Sequence, residues 1–266
     1  MGISDAGLEE LEREAARSWR APEEERLGGW LLRAGEGFTG RANSALAVGD
    51  PGRPLADAAE AVRRWYAARG LPPMVAVPYP VGRPEASPVD RFLGSVGWTV
   101  RPGAATVMTI PLTGGGLTAP AGTEVRVEAE PDDAWLALYH YRGQDLPPVA
   151  RRLLLSAPWQ GFGSAHDDGR VIAIGRVAGA GPDGGRAHWA GLTAIEVDPG
   201  HRRRGLATAV TAALAAHAAA RGATGLYLQV EEGNAGARTL YQRTGFTGHH
   251  DYHYRVAPGP YPPRTV

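Results

Sequence analysis

The chain has no cysteine and no lysine among its 266 residues. The first absence excludes disulfide staples, cysteine-ligated zinc and thiol nucleophiles. The second excludes the Walker A phosphate loop, which needs its lysine, and Schiff-base catalysis, which needs an amine. All 28 basic side chains are therefore arginine, and 28 acidic ones balance them. A formal charge of zero leaves no global basic field for nucleic acid. No apolar run reaches the roughly 20 residues of a membrane helix. The start, MGISDAGLEELEREAARSW, is acidic and amphipathic and has no signal-peptide core. A cytoplasmic enzyme or binding protein of one large or two ordinary domains is the expectation.

What is present is an alternation of helical and strand patterns. Helices are expected at 4–19 (Ser4 and Asp5 as caps), 55–70, 87–98, 131–143, 147–158, 205–221 and 234–245. Strands are expected at 73–78, 106–112, 124–130, 171–179, 187–197, 225–230 and 252–256, with a two-strand hairpin over 28–50. The stretch TGGGLTAPAGTE is small, polar and flexible, and reads as a linker. The proline-rich tail 258–266 reads as disordered.

The two halves repeat one another. GDPGRPLADAAEAVRRWYAARGLPPMVAVP parallels VDPGHRRRGLATAVTAALAAHAAARGATGLYLQV, and DRFLGSVGW parallels RTLYQRTGF. Pro51 then matches Pro199, and Trp98 matches Phe246. From Pro51 to Gly70 is 19 positions, but from Pro199 to Gly222 is 23. The first copy lacks four residues at the start of its helix, where the second carries an arginine run and a glycine.

In the second copy a strand ends at Val197-Asp198-Pro199, and the turn Arg202-Arg203-Arg204-Gly205-Leu206-Ala207 opens a helix. A helix start offers unpaired N–H groups and partial positive charge, a natural seat for phosphate. Gly205 and Ala207 let a ligand approach the backbone, and arginine adds charge-assisted hydrogen bonds. A solvated basic turn is the competing reading.

Arg202-x-x-Gly205-x-Ala207 after a strand ending in Val-Asp-Pro resembles the acetyl-CoA signature of the GNAT N-acetyltransferase superfamily. Asn234-x-x-Ala237-x-x-Leu240-Tyr241-x-x-x-Gly245-Phe246 resembles that family's second block. The match covers about 124–257, and the two-copy layout resembles actinobacterial tandem-GNAT proteins such as mycothiol synthase. The resemblance implies an α/β fold of two GNAT-like mixed-sheet units in tandem. It implies a degenerate unit at 1–112, a linker at 113–123, an acetyltransferase unit at 124–257 and the tail. It also implies acetyl-CoA as co-substrate. Backbone N–H groups of Arg203, Arg204, Gly205, Leu206 and Ala207, with Thr208, would hold its pyrophosphate. Ile195 and Val197 would bond the pantetheine arm through their backbone, like an added strand. Asn234 would contact the same arm, with Ala237 in its block, and Tyr241 would be the general acid.

The general base is less defined. Some GNAT enzymes place a glutamate midway along the strand before the phosphate turn, and counting back from Arg202 puts Gly191 there. Glu196 is close, but its direction is open. Glu231, Glu232 or a water relay are alternatives. The first copy reads Gly52-Arg53-Pro54-Leu55-Ala56 where the phosphate turn belongs. Its proline removes an N–H, so a structural or substrate-shaping role is expected.

Three features are weighed against function. Gly35-Glu36-Gly37-Phe38-Thr39-Gly40 matches GxGxxG, but a strand-like RANSALAVG follows instead of a helix, so it reads as a turn. His249, His250 and His253 alternate along a strand and do not converge as metal ligands. Tyr139, His140 and Tyr141, with Trp159, Phe162 and Trp189, could line an acceptor pocket or simply pack.

The expected reaction is acetyl transfer to a primary amine, most simply of a small molecule, by a monomer or homodimer with no nucleic-acid or membrane partner. Acetylation of a protein N-terminus and a non-catalytic acetyl-CoA sensor are the alternatives.

Overall fold

The computed structural model describes residues 5–112, 117–120, 122–140, 146–181 and 189–259. In chain order these form α1 (Asp5–Ser18), β1 (Glu23–Leu27), β2 (Trp30–Ala34), β3 (Ala45–Leu46), α2 (Leu55–Ala67), β4 (Met74–Tyr79), α3 (Pro88–Ser95) and β5 (Thr99–Pro111). Then come β6 (Val125–Glu128), α4 (Asp133–Leu138), α5 (Val149–Leu154), β7 (Trp159–Asp167), β8 (Arg170–Gly179) and β9 (Trp189–Val197). The chain closes with α6 (Leu206–Ala219), β10 (Gly225–Glu231), α7 (Ala235–Arg243) and β11 (Thr247–Val256). Ser4, Tyr141 and the last seven residues of the expected tail lie outside the described residues.

The described residues pack as two compact units. One gathers 1–108, 230–238 and 248–266; the other gathers 109–229 and 239–247. The chain thus returns to its first unit at the C-terminus, instead of passing once from first copy to second.

In the first unit the strand order is β1-β2-β3-β4-β11-β5. β3 and β4 are parallel and joined by the crossover helix α2. α2 buries Ala58, Val62, Trp65 and Tyr66, the three-to-four spacing of one helix face. These meet Trp30, Leu32, Leu93 and Trp98 in one core. β11 pairs antiparallel with β4, Tyr254 opposite Ala76 and Asp251 opposite Tyr79.

The hairpin expected over 28–50 is displaced. The chain turns at Gly28-Gly29, so β2 pairs first with β1 and meets β3 only at Leu31–Leu46. β1 reads EEERL with its first four residues exposed, a charged edge strand lacking the alternation that marks a buried one. The GxGxxG stretch opens no nucleotide-binding helix. Asn43 ties it as a loop, its Oδ1 accepting from the N–H groups of Gly35 and Gly37 and its Nδ2 donating to the carbonyls of Phe38 and Thr39.

The second unit runs β6-β7-β8-β9-β10. β9 and β10 are parallel and joined by α6, the same β–α–β unit as β3–α2–β4. α6 is apolar around most of its surface and buries Ala209, Val210, Leu214 and Ala218, as a helix enclosed on several sides must. β7, absent from the sequence reading, pairs along its length with β8. Its glycines admit α6: a Cβ on Gly163 would lie 3.2 Å from Leu214. The helix expected over 131–143 spans only Asp133–Leu138 among the described residues, capped by Asp132.

The repeat is visible bond by bond. The N–H of Gly52 donates to Asp50 Oδ1 at 2.7 Å, and that of Gly200 to Asp198 Oδ1 at 2.9 Å. α2 ends with Leu71 N–H on the Tyr66 carbonyl, and α6 with Ala223 N–H on the Ala218 carbonyl. Both wrap through a left-handed glycine, Gly70 and Gly222. After α3 the N–H of Trp98 reaches the Leu93 carbonyl at 2.9 Å; after α7 that of Phe246 reaches the Tyr241 carbonyl at 2.9 Å. Leu93 therefore occupies in the first copy the place that Tyr241 holds in the second.

Candidate active site

The turn before α6 is shaped for an anion. Its backbone is left-handed at Arg203 (φ 62°) and again at Gly205 (φ 78°), alternation that turns successive N–H groups inward. α6 then starts without a side-chain cap, whereas Ser87 caps α3 and Asp132 caps α4. Its first internal bond is Ala209 N–H to the Gly205 carbonyl, so Leu206, Ala207 and Thr208 present N–H groups with no intrahelical acceptor. Arg202, Arg203 and Arg204 are exposed around this mouth. Arg204 approaches Asp167 at 3.4 Å, a solvent-screened contact of little energy. Pro120 covers one side, 3.1 Å from where a Cβ on Gly205 would stand.

β9 is broken beside this turn. It pairs with β10 from Trp189–Gly225 to Leu192–Leu228, and the register ends there although both strands continue. Ala194 sits in the left-handed region (φ 55°), and the β8–β9 register shifts between Ile174 and Arg176. Such a bulge bends its strand and frees backbone groups beyond it. Residues 193–197 are half-buried, with Ile195 and Val197 among them.

The bulge also fixes where the side chains go. Ile195 turns toward α6, close to Val210 and Leu214. Glu196 turns the other way, and both its carboxylate oxygens accept the backbone N–H of His140, at 3.1 and 3.2 Å. Burial pushes the Glu196 carboxyl above its ordinary range; the His140 N–H, the His140 ring and Arg202 pull it back only in part. Glu196, Val197 and Arg202 line a cavity of about 610 Å³ with His140 and the end of α4.

Gly191 carries no base and has no room for one. It stands opposite Tyr227 in the β9–β10 register, and a Cβ there would lie 2.3 Å from the Tyr227 hydroxyl.

Tyr241 lies in the last turns of α7 in the second unit, 8% exposed, its ring edge-on to Phe246 at 5.6 Å. Burial raises its phenol to about 12. Among the described residues its hydroxyl has no hydrogen-bond partner. The turn after α7 closes through Gly245 at φ 94°, which explains the glycine at that spacing. Asn234, itself exposed, caps α7 by accepting the Ala237 N–H at 3.0 Å. Asn234 and Ala237 belong to the first unit, as do the exposed Glu231 and Glu232.

The remaining candidates are packing or pairing groups. Phe162 meets Trp135 edge-on in the second-unit core, and Trp159 lies tilted beside His217 with ring centres 6.4 Å apart. Trp189 lies 2.5 Å from where a Cβ on Gly225 would stand. Tyr139 is buried beside Trp135. His250 pairs with Glu12 at 2.8 Å and His253 with Asp90 at 2.5 Å, two separate carboxylates, while His249 Nδ1 meets His250 Nδ1 at 2.8 Å. In the first copy α2 also starts without a side-chain cap, but Pro54 at its N-cap has no N–H to offer.

No helix of the described residues is long and apolar enough to cross a membrane. The family model described as "Probable histone acetyltransferase Rv0428c C-terminal" matches residues 6–255. A probable histone acetyltransferase of Mycobacterium tuberculosis is 31% identical over 96% of this chain and 76% of its own length. The N-acetyltransferase YobR of Bacillus subtilis is 28% identical over 94% and 98%. A GCN5-related N-acetyltransferase from Kribbella flavida shares the fold at TM-score 0.66 and 22% identity, covering 97% of both chains. A tandem GNAT protein from the clavulanic acid pathway does so at TM-score 0.61 and 16% identity, over 91% and 86%. With two β–α–β copies, a bulged strand and an uncapped helix behind an arginine turn, the chain has the fold of tandem-GNAT proteins, belongs to the Rv0428c C-terminal family and is an N-acetyltransferase.

Proposed function

We propose that this enzyme transfers acetyl from acetyl-CoA to the primary amine of a small molecule. The carrying observation is the start of α6, three N–H groups without intrahelical acceptors behind a backbone left-handed at Arg203 and Gly205. A doubly charged pyrophosphate suits such a cradle. The three arginines rim it. Ile195 and Val197, past the point where β9 leaves β10, offer backbone groups to an amide-bearing arm. Acetyl-CoA, when bound, supplies an acetyl thioester with a thiol as leaving group.

The chain's own residues handle the protons. Glu196 accepts one from the incoming ammonium, which must be neutral to attack, and its raised basicity suits that task. Tyr241 donates toward the leaving sulfur. A thiol has a pKa of about 8.5 and this phenol about 12, so full proton transfer is uphill by about 5 kcal/mol. Tyr241 thus acts as a hydrogen-bond donor to the sulfur as charge develops, with solvent completing protonation.

One relative's name points to histones, but the acceptor favoured here is small. The chain carries no net charge to attract a basic tail, and the carboxylate that could receive an amine lines a half-open cavity of about 610 Å³, a size that suits a small molecule. Glycine at 191 keeps a non-catalytic acetyl-CoA sensor as the second reading.

Calorimetric titration tests the assignment. Acetyl-CoA should bind once per chain, Arg203→Glu with Gly205→Pro should abolish binding, and Arg53→Ala should leave it unchanged. Absence of binding to the wild type overturns the cofactor assignment. Binding without thiol release across a broad amine set selects the sensor.

A further inference from the structure

β9 is held on one side and released on the other. Beyond Leu192 it leaves β10, yet it stays paired with β8 as far as Ala173–Val197. Between Arg176–Thr193 and Ile174–Glu196, two steps along β8 face three along β9. The extra residue is the bulge, and Ala194 there is left-handed at φ 55° without being glycine. Half-buried N–H and C=O groups beside an unpaired neighbour strand tend to close onto it, because each needs a partner. An open split therefore needs a restraint.

Arg176 stands where that restraint is needed. It is 1% exposed and lies on β8 opposite Thr193, at one edge of the bulge. A Cβ on the adjacent Gly175 would meet Ile195, Val210 and Leu214, so Arg176 points to the face away from α6. There its Nε donates to the Leu154 carbonyl at 2.7 Å. Leu154 ends α5, and four residues on stands Pro158, which has no N–H to offer that carbonyl. Nη1, on another arm of the guanidinium, lies 3.5 Å from Thr193 Oγ1. The planar fork thus reaches from the end of α5 to the first residue past the split. All of these residues belong to the second unit.

We propose that Arg176 is a positioning residue for acetyl transfer: it clamps β9 to the end of α5 and keeps the β9–β10 split open before acetyl-CoA arrives. This rests on the acetyl-CoA reading above. Arg176 acts by preorganisation and touches no reacting group. Without the clamp β9 pairs on past Leu192, toward Thr193–Gln229, and only the molecules still open can bind.

Two variants test this. Arg176→Met removes the fork and keeps an apolar body; Arg176→Lys keeps the charge and a donor but cannot span both acceptors. Melting temperature shows which variants are folded. Calorimetry should find acetyl-CoA bound about tenfold more weakly by Arg176→Met, the loss that follows when about a tenth of the molecules stay open, and about threefold more weakly by Arg176→Lys. Hydrogen exchange without ligand supplies a readout that a merely structural role would not move in the same direction. Backbone amides over 193–197 should exchange more slowly in Arg176→Met than in wild type, because closing the split gives them partners, whereas a loosened core would speed them. Should Arg176→Met fail to fold, Arg176→Lys carries both measurements. Wild-type affinity in the folded variants, or weaker binding with faster exchange, overturns the proposal and leaves acetyl transfer standing. Failure of the wild type to bind acetyl-CoA removes both readings.

Discussion

The Tyr227 hydroxyl occupies the space that a side chain at residue 191 would need, 2.3 Å from where a Cβ on Gly191 would stand. Tyr227 is 3% exposed, so its ring cannot swing into solvent to make room. Gly191→Ala should destabilise the protein by about 1–3 kcal/mol, the usual cost of overpacking a close-packed site. Gly191→Glu should cost more and yield no gain in turnover. Chemical denaturation of both variants measures this, and a midpoint equal to wild type for Gly191→Ala would show that the ring yields freely.

Glu196 should set the acid limb of activity. Burial raises its carboxyl, so the base form is lost as pH falls through a value above the ordinary glutamate range. The kcat/KM profile should therefore drop at higher pH than a free carboxylate would dictate, and Glu196→Gln should remove both the limb and most of the rate. The linkage has the opposite sign for stability. A group whose folded pKa is raised favours the fold when protonated, and that contribution is lost as pH rises through the folded value. Glu196→Gln keeps an oxygen for the His140 N–H without the buried charge, so it should melt no lower than wild type at neutral pH. A variant that is both inactive and markedly less stable would mean that the carboxylate is structural.

Much of this was legible in the sequence, for physical reasons that differ by element. The second helix of each copy is long and apolar on a regular period and ends at a glycine, so α2 and α6 stand out, as does the match between their ends. The arginine turn is legible because a glycine is needed where φ reaches 78°. β1 and β7 are not, because a charged edge strand and a glycine-punctuated one lack the alternation of half-buried strands. The direction of Glu196 was hidden by the left-handed residue at Ala194, which resets the alternation along β9 and has no signature in its side chain. β11 was hidden more deeply. Sequence order makes it the closing strand of the second copy, but it pairs with β4 of the first unit. That choice is carried by His253 and Arg255 reaching Asp90, 163 and 165 residues away, which no local pattern reports.

Tyr241→Phe should lower kcat with little change in acetyl-CoA affinity. Its hydroxyl has no partner among the described residues, so removing it leaves no buried group unpaired and the fold should hold. Loss of a single hydrogen bond to a developing thiolate should cost on the order of tenfold to a thousandfold in kcat. Because burial raises the phenol to about 12, Tyr241 stays protonated through neutral pH. No alkaline limb below about pH 10 should then trace to it, and any limb seen there should persist in the variant. Unchanged turnover would remove the donor role.

The C-terminal strand should be the acid-sensitive part of the first unit. Arg255 grips Asp90 with two bonds, Nε to Oδ1 at 2.7 Å and Nη2 to Oδ2 at 2.8 Å, while His253 Nε2 meets Oδ1 at 2.5 Å. Arg255 also donates to the Trp98 carbonyl at 2.9 Å, so β11, α3 and the turn after α3 meet at one carboxylate. Burial pushes the Asp90 carboxyl up, but Arg255 and His253 outweigh it and hold it below its ordinary value. A depressed folded pKa contributes stability that is complete above the unfolded value, about 3.9, and is lost as pH falls through the folded one. Asp90→Asn leaves a half-buried guanidinium without its counter-charge, so it should cost about 3–5 kcal/mol at neutral pH. The gap to wild type should narrow as pH falls below about 4, where the unfolded carboxyl takes up its proton, and close only as the folded one follows. Hydrogen exchange should place the loss along β11 and its partner β4. Uniform loosening of both units, or a gap that stays constant down to pH 2, would mean that the carboxylate does not secure this strand.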